Sequence, residues 1–126
     1  MADTRNKGDG LKFSTEVIET IAGIAASEID GIVSMSGGVV EDFVERFGRK
    51  NLSKGVSVDI EEQELRIDLK VIVEYGTNVP DLYQKASLAV EKAIENMTGL
   101  HVVEVNMYVE GVVVRDELDQ LVRVTD

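Results

Sequence analysis

Four cations, Arg46, Arg49, Lys50 and Lys54, fall within nine residues, with Phe47 among them. No acid occurs between Glu45 and Asp59, so this segment is a basic island on a chain of formal net charge −11. Cations around an aromatic ring are the parts needed to grip RNA phosphates or an anionic headgroup. They suit equally well a loop that docks on carboxylates of this protein, of a copy of it, or of a partner protein. The overall charge repels phosphate-rich surfaces, so protein docking is the favoured expectation and nucleic acid the lesser one. Arg46, Arg49, Lys50, Asn51 and Lys54 are the candidate contact residues of the segment.

Other residue types that carry chemistry are sparse. His101 is the only histidine and there is no cysteine, so thiol nucleophiles, disulfides and thiolate metal sites are excluded. A triad would have to be built on His101, and no Gly-x-Ser-x-Gly elbow offers it a serine. Zinc would need carboxylates to complete a set that has one imidazole. The acids Glu61, Glu62 and Glu64, and again Asp116, Glu117 and Asp119, lack calcium-loop spacing with its central glycine. Gly37-Gly38 ahead of a short helix invites a phosphate-loop reading, but Glu41 and Asp42 would fill that helix's first turn and repel phosphate. Neither a catalytic site, a metal nor a cofactor is expected, and the 24 acids read as solvated surface.

The elements that position these residues follow from spacing. Ser14 can cap a helix running through Glu28, one-sided through Val17, Ile18, Ile21, Ile24 and Ala25, with Asp30-Gly31 closing it. Ile32 to Ser36 reads as a short strand, Val39 to Phe47 as a short amphipathic helix and Gly48 to Gly55 as loop. Val56, Val58 and Ile60, then Leu65, Ile67, Leu69, Val71, Val73 and Tyr75, alternate with polar residues across a tight turn at Glu62-Gln63, predicting an antiparallel hairpin. Asn78 and Pro80 open a second helix with an apolar stripe from Leu82 and Tyr83 to Met97, and Thr98-Gly99 closes it. The last strand spans about His101 to Val113, with Val103, Val105, Met107 and Val109 inward.

Helices and sheet with one apolar face each must cover one another. The expected fold is α+β, a two-layer sandwich of two main helices on one face of a mixed, largely antiparallel sheet of about four strands in α-β-β-β-α-β order. Residues 1–10 read as a disordered polar arm, 11–113 as the domain and 114–126 as a charged tail. On the far side of the sheet Ile72, Val102, Tyr108 and Val112 are expected to cluster. An exposed apolar patch of that kind marks an interface, and Ile72 and Tyr108 join the candidate contact residues. Self-association into a homo-oligomer is part of that expectation. The hydrophobic fraction is 44%, ordinary for a globular domain, and Met1 to Gly10 lacks the apolar run of a signal peptide or membrane span. A cytoplasmic location without direct membrane insertion is expected.

The wording of the chain adds a further indication. Glu28-Ile29-Asp30-Gly31-Ile32-Val33-Ser34-Met35-Ser36-Gly37-Gly38, Gly48-Arg49-Lys50-Asn51-Leu52-Ser53-Lys54-Gly55-Val56, Val73-Glu74-Tyr75-Gly76 and Glu95-Asn96-Met97-Thr98-Gly99-Leu100 together resemble the alkaline shock protein family of mainly Gram-positive bacteria. The resemblance implies a cytoplasmic, non-catalytic protein linked to alkaline or cell-envelope stress, in some members held near the membrane by an integral membrane partner. Other members are connected to fatty-acid synthesis through acetyl-CoA carboxylase. The partner it implies is therefore a protein, either a membrane anchor or a biosynthetic enzyme, and no catalytic residue carries over.

Overall fold

The computed structural model describes residues 10–35 and 54–114. The expected helix over 39–47, and Arg46, Arg49, Lys50 and Asn51, lie outside the described residues. Within them the order is α1 (Thr15–Ser27), β1 (Ile32–Met35), β2 (Val56–Glu61), β3 (Glu64–Glu74), α2 (Val79–Thr98) and β4 (His101–Val113). This is the expected α-β-β-β-α-β order.

Both helices start where their capping chemistry dictates. The Ser14 hydroxyl accepts the Val17 N–H at 3.2 Å, and the Asn78 side-chain carbonyl accepts the Asp81 N–H at 3.1 Å with Pro80 in the first turn. Each satisfies a backbone donor that the helix itself leaves orphaned. Helix α2 ends as expected, at a left-handed Gly99. Helix α1 does not end at Gly31. Its C-cap is Glu28 in right-handed geometry, with the N–H on the Ala26 carbonyl. Gly31 instead takes a positive φ in the turn that delivers β1.

Strand β3 is the spine of the sheet. β1 and β2 both run antiparallel to it, opposite residues 71–73 and 64–69 respectively, and so follow one another along the same edge. β4 runs parallel along the other edge over the whole length of β3, with α2 as the crossover that a parallel connection requires. The sheet is thus mixed, and its longest ladder is the parallel one. Leu65, Ile67, Leu69, Val71 and Val73 are all buried on one face. Ile18, Ala22 and Ala26 of α1 and Leu82, Ala86, Val90 and Ile94 of α2 complete the core above them. The Tyr83 hydroxyl donates to the Val105 carbonyl at 2.7 Å and pins α2 to β4.

Alternation fails at two places on β4. The partner of Leu65 is Val102 but that of Arg66 is Glu104, and the partner of Val71 is Val109 but that of Ile72 is Gly111. Val103 and Glu110 are therefore bulge residues, and each bulge reverses which face the following residues occupy. Val102 consequently lies in the core and Val112 sits beside Val73 on the helix side, whereas both were expected on the far face. Val103, expected inward, is exposed. Tyr75, expected to extend the inward row of β3, lies beyond the strand end and is 73% exposed.

The hairpin turn is tight, as expected, but its residues are unusual. Glu62 and Gln63 both have positive φ, 51° and 107°, the pattern of a type I′ turn that Asn-Gly fits best. The Gln63 carbonyl accepts the His101 N–H at 3.1 Å, so the turn is held against the start of β4. Glu61 and Glu64 face each other across the turn, adding like-charge repulsion. Replacing Glu62-Gln63 by Asn-Gly is expected to stabilise the fold by about 1 kcal/mol, read as a higher urea midpoint with an unchanged slope. An unchanged or lower midpoint would show that this geometry carries no strain.

Candidate interaction surface

The helix-free face of the sheet is where the expected patch belongs. Ile72 is half-buried with its side chain over Gly111, and Tyr108 is 47% exposed beside Lys70. Lys54 is exposed at the entry to β2, where the Gly55 carbonyl accepts the Lys70 N–H at 2.7 Å. Lys54, Lys70 and Tyr108 therefore occupy one level of the sheet. The bulges remove Val102 and Val112 from this face, so the apolar cluster expected there does not form. The centre of the face is polar instead. Arg66 lies between Glu61 at 3.4 Å and Glu104 at 3.5 Å, and the Asn106 amide donates to Asp68 at 3.0 Å and to Glu104 at 2.8 Å. The two Arg66 pairs are exposed and contribute at most about 1 kcal/mol each. A face rich in carboxylates is also a poor platform for phosphate.

His101 stands at the start of β4 with its Nδ1 3.1 Å from Glu95 Oε2. The same oxygen accepts the Val102 N–H at 2.9 Å. Glu95 thereby ties the end of α2 to the first residues of β4, which accounts for the pair without any reaction. No group of three or more His, Cys, Asp or Glu among the described residues is arranged to hold a metal ion.

An apolar concavity lies on the opposite side of the molecule. α1 and α2 are antiparallel, because the turn at Gly31 meets Leu82 near the start of α2, whereas Phe13 and Thr98 border a common cavity at the other end. Between them runs a groove of about 540 Å³, floored by Val17, Ile21, Ile24 and Ala25 of α1 and Ala93 and Met97 of α2. Glu16 and Glu28 border it, about 18 Å apart at 1.5 Å per helical residue. Val17 is 43% and Met97 67% exposed.

This groove was not legible as one because α1 reads as one-sided. From Thr20 to Ser27, however, α1 has no charged residue. Ile18, Ala22 and Ala26 face the sheet, Ala25 is half-buried against the core, and Val17 and Ile24 extend the apolar surface round to the groove that α2 covers only in part. A helix apolar beyond its core-facing stripe is one that something else covers. That uncharged run was the available signal.

Residues 3–114 match the alkaline shock protein 23 family, described as having a cell envelope-related function. The chain belongs to this family. The resemblance carried by the motifs around Gly31, Lys54, Tyr75 and Gly99 is thereby confirmed. Within the family the chain is similar to the Bacillus subtilis protein YqhY, 38% identical over 102 residues that cover 81% of this chain and 76% of that one. The Bacillus subtilis protein YloU is 34% identical, over 87% of this chain and 93% of its own length. A stress response regulator gls24 homolog of Streptococcus pyogenes is 28% identical over 86% of this chain, which spans 62% of that protein's length. The solved MamM C-terminal domain is a looser likeness in outline, with a TM-score of 0.47 at 14% identity, covering 76% of this chain and 94% of the other. No described helix of this family member is long and apolar enough to cross a membrane.

Proposed function

We propose that this member of the alkaline shock protein family is a non-enzymatic, cytoplasmic stress-response scaffold of the cell envelope that acts by docking on another protein through the α1–α2 groove. The observation that carries the reading is the uncharged run of α1 from Thr20 to Ser27 beside an apolar groove. The family's envelope-related description and the streptococcal relative's name as a stress response regulator support the biological setting. Apolar surface of this kind on a domain with a complete core of its own is a partner's seat rather than a packing defect.

A chromosomal Val17→Glu/Met97→Glu variant tests the proposal. Both side chains are exposed, so the fold tolerates the charges, and the protein is expected at its normal level. Survival under alkaline or cell-wall stress is expected to fall to that of the deletion strain, while a His101→Ala strain survives like wild type. Wild-type tolerance in the groove variant, with loss in His101→Ala, would point to chemistry at His101 and overturn the scaffold reading.

A further inference from the structure

We infer that the groove takes a cationic amphipathic helix of a partner protein, an inference that rests on the scaffold reading above and specifies its partner. The shape of the site sets the apolar part. The floor runs along α1 from Val17 to Ala25, which a facing helix matches with apolar residues at i, i+3 or i+4 and i+7 over roughly two turns. Charge sets the remainder. Glu16 and Glu28 border the groove, α1 contains no Lys or Arg, and the molecule carries −11. The C-terminal turn of α1 has no basic residue, so its negative pole adds to Glu28 and to the exposed Asp30 beside it. Lys or Arg is therefore favoured near both ends of the bound helix and most strongly over the end of α1.

The same charges disfavour other occupants. Two copies paired groove to groove about a twofold axis would set Glu16 of one α1 towards Glu28 of the other, acid against acid, with no cation on either α1 to compensate. An anionic membrane is repelled for the same reason.

The probe is a fluorescein-labelled 18-residue peptide with leucine at the helical spacing above and lysine elsewhere, titrated with the full chain and followed by anisotropy. A scrambled peptide of equal composition controls for simple attraction to a −11 protein. The helical peptide is expected to bind at least about tenfold more tightly than the scrambled one. Val17→Glu/Met97→Glu, checked for fold by circular dichroism, is expected to weaken it about thirtyfold. Glu16→Lys/Glu28→Lys is expected to weaken it about tenfold and to flatten its salt dependence. Equal binding of the scrambled peptide, or unchanged binding by both variants, would overturn the inference. So would a wild-type dimer that Val17→Glu/Met97→Glu dissociates in sedimentation, since a second copy would then fill the groove. If the peptide fails while the groove variant still loses stress tolerance in cells, the occupant is wrong and the scaffold stands. If the variant keeps full tolerance, the scaffold reading falls with it.

Discussion

Replacing Ile67 by alanine is expected to cost about 4 kcal/mol of folding stability, and the same change at Ile60 under about 1 kcal/mol. The two residues look alike in sequence: both are isoleucines on the apolar side of an alternating strand. Ile67 is fully buried at the middle of β3, with Val58 of β2 and Val105 of β4 as its neighbours in register and both helices above. Truncation there removes three buried carbons and leaves a cavity that two hydrogen-bonded strands cannot close. Ile60 is 41% exposed near the end of β2, so truncation leaves no enclosed void. Against a total stability of about 5 to 15 kcal/mol, the first change consumes a large fraction, and the melting temperature should fall by about 15 °C. Equal losses at the two positions, measured by urea unfolding, would contradict the placement of β2 and β3.

The second large effect is expected at Gly31. Substitution by alanine should cost about 3 kcal/mol, against about 1 kcal/mol for Gly99→Ala. Both glycines have positive φ, 107° and 78°, so a Cβ is strained at either. They differ in what the methyl group meets. At Gly99 nothing lies within 4 Å, whereas at Gly31 it would sit 3.0 Å from Thr77 Cγ2 and 3.3 Å from Leu82 Cδ1. Leu82 is buried, so it cannot move aside freely and overpacking adds to the backbone strain. Thermal unfolding of the two variants measures the difference directly. Costs of similar size would mean that the α1–β1 turn does not press on the start of α2.

The parts of the fold legible in the sequence are those where side-chain type and backbone geometry coincide. Alternation from Leu65 to Val73 identified the inward face of β3 because that strand is regular over its whole length. Ser14, Asn78, Pro80 and Gly99 marked helix ends because each performs local chemistry that no distant contact overrides. The faces of β4 were legible only between its bulges. Val105, Met107 and Tyr108 were assigned correctly, but Val102, Val103 and Val112 were not. A bulge is a backbone event, and valines on either side of it carry no mark of the reversed phase.

The candidate site was less legible than the fold. Periodicity assigns a face to a residue but does not say whether another element lies over that face. The far face of the sheet was expected to be polar around an apolar cluster of Ile72, Val102, Tyr108 and Val112; its polar part is as expected, with Arg66, Asp68, Glu104 and Asn106 in contact, but Val102 and Val112 lie on the other face. An apolar groove lies instead beside α1, where the exposed Val17 and the half-buried Ile24 and Ala25 read as ordinary core positions. Only the structure shows that α2 meets that side of α1 through Ala93 and Met97 and leaves a groove between the two helices.

The central claim is that the α1–α2 groove is the docking surface, and site-specific photo-cross-linking in living cells tests it most directly. A photoreactive residue is placed in turn at Val17, at Met97 and, on the opposite face, at Tyr108, all three exposed. The account predicts a shared adduct with another protein from Val17 and Met97, mapping to a Lys- or Arg-rich amphipathic helix, and no such adduct from Tyr108. An adduct formed from Tyr108 alone would place the interface on the helix-free face of the sheet and contradict it.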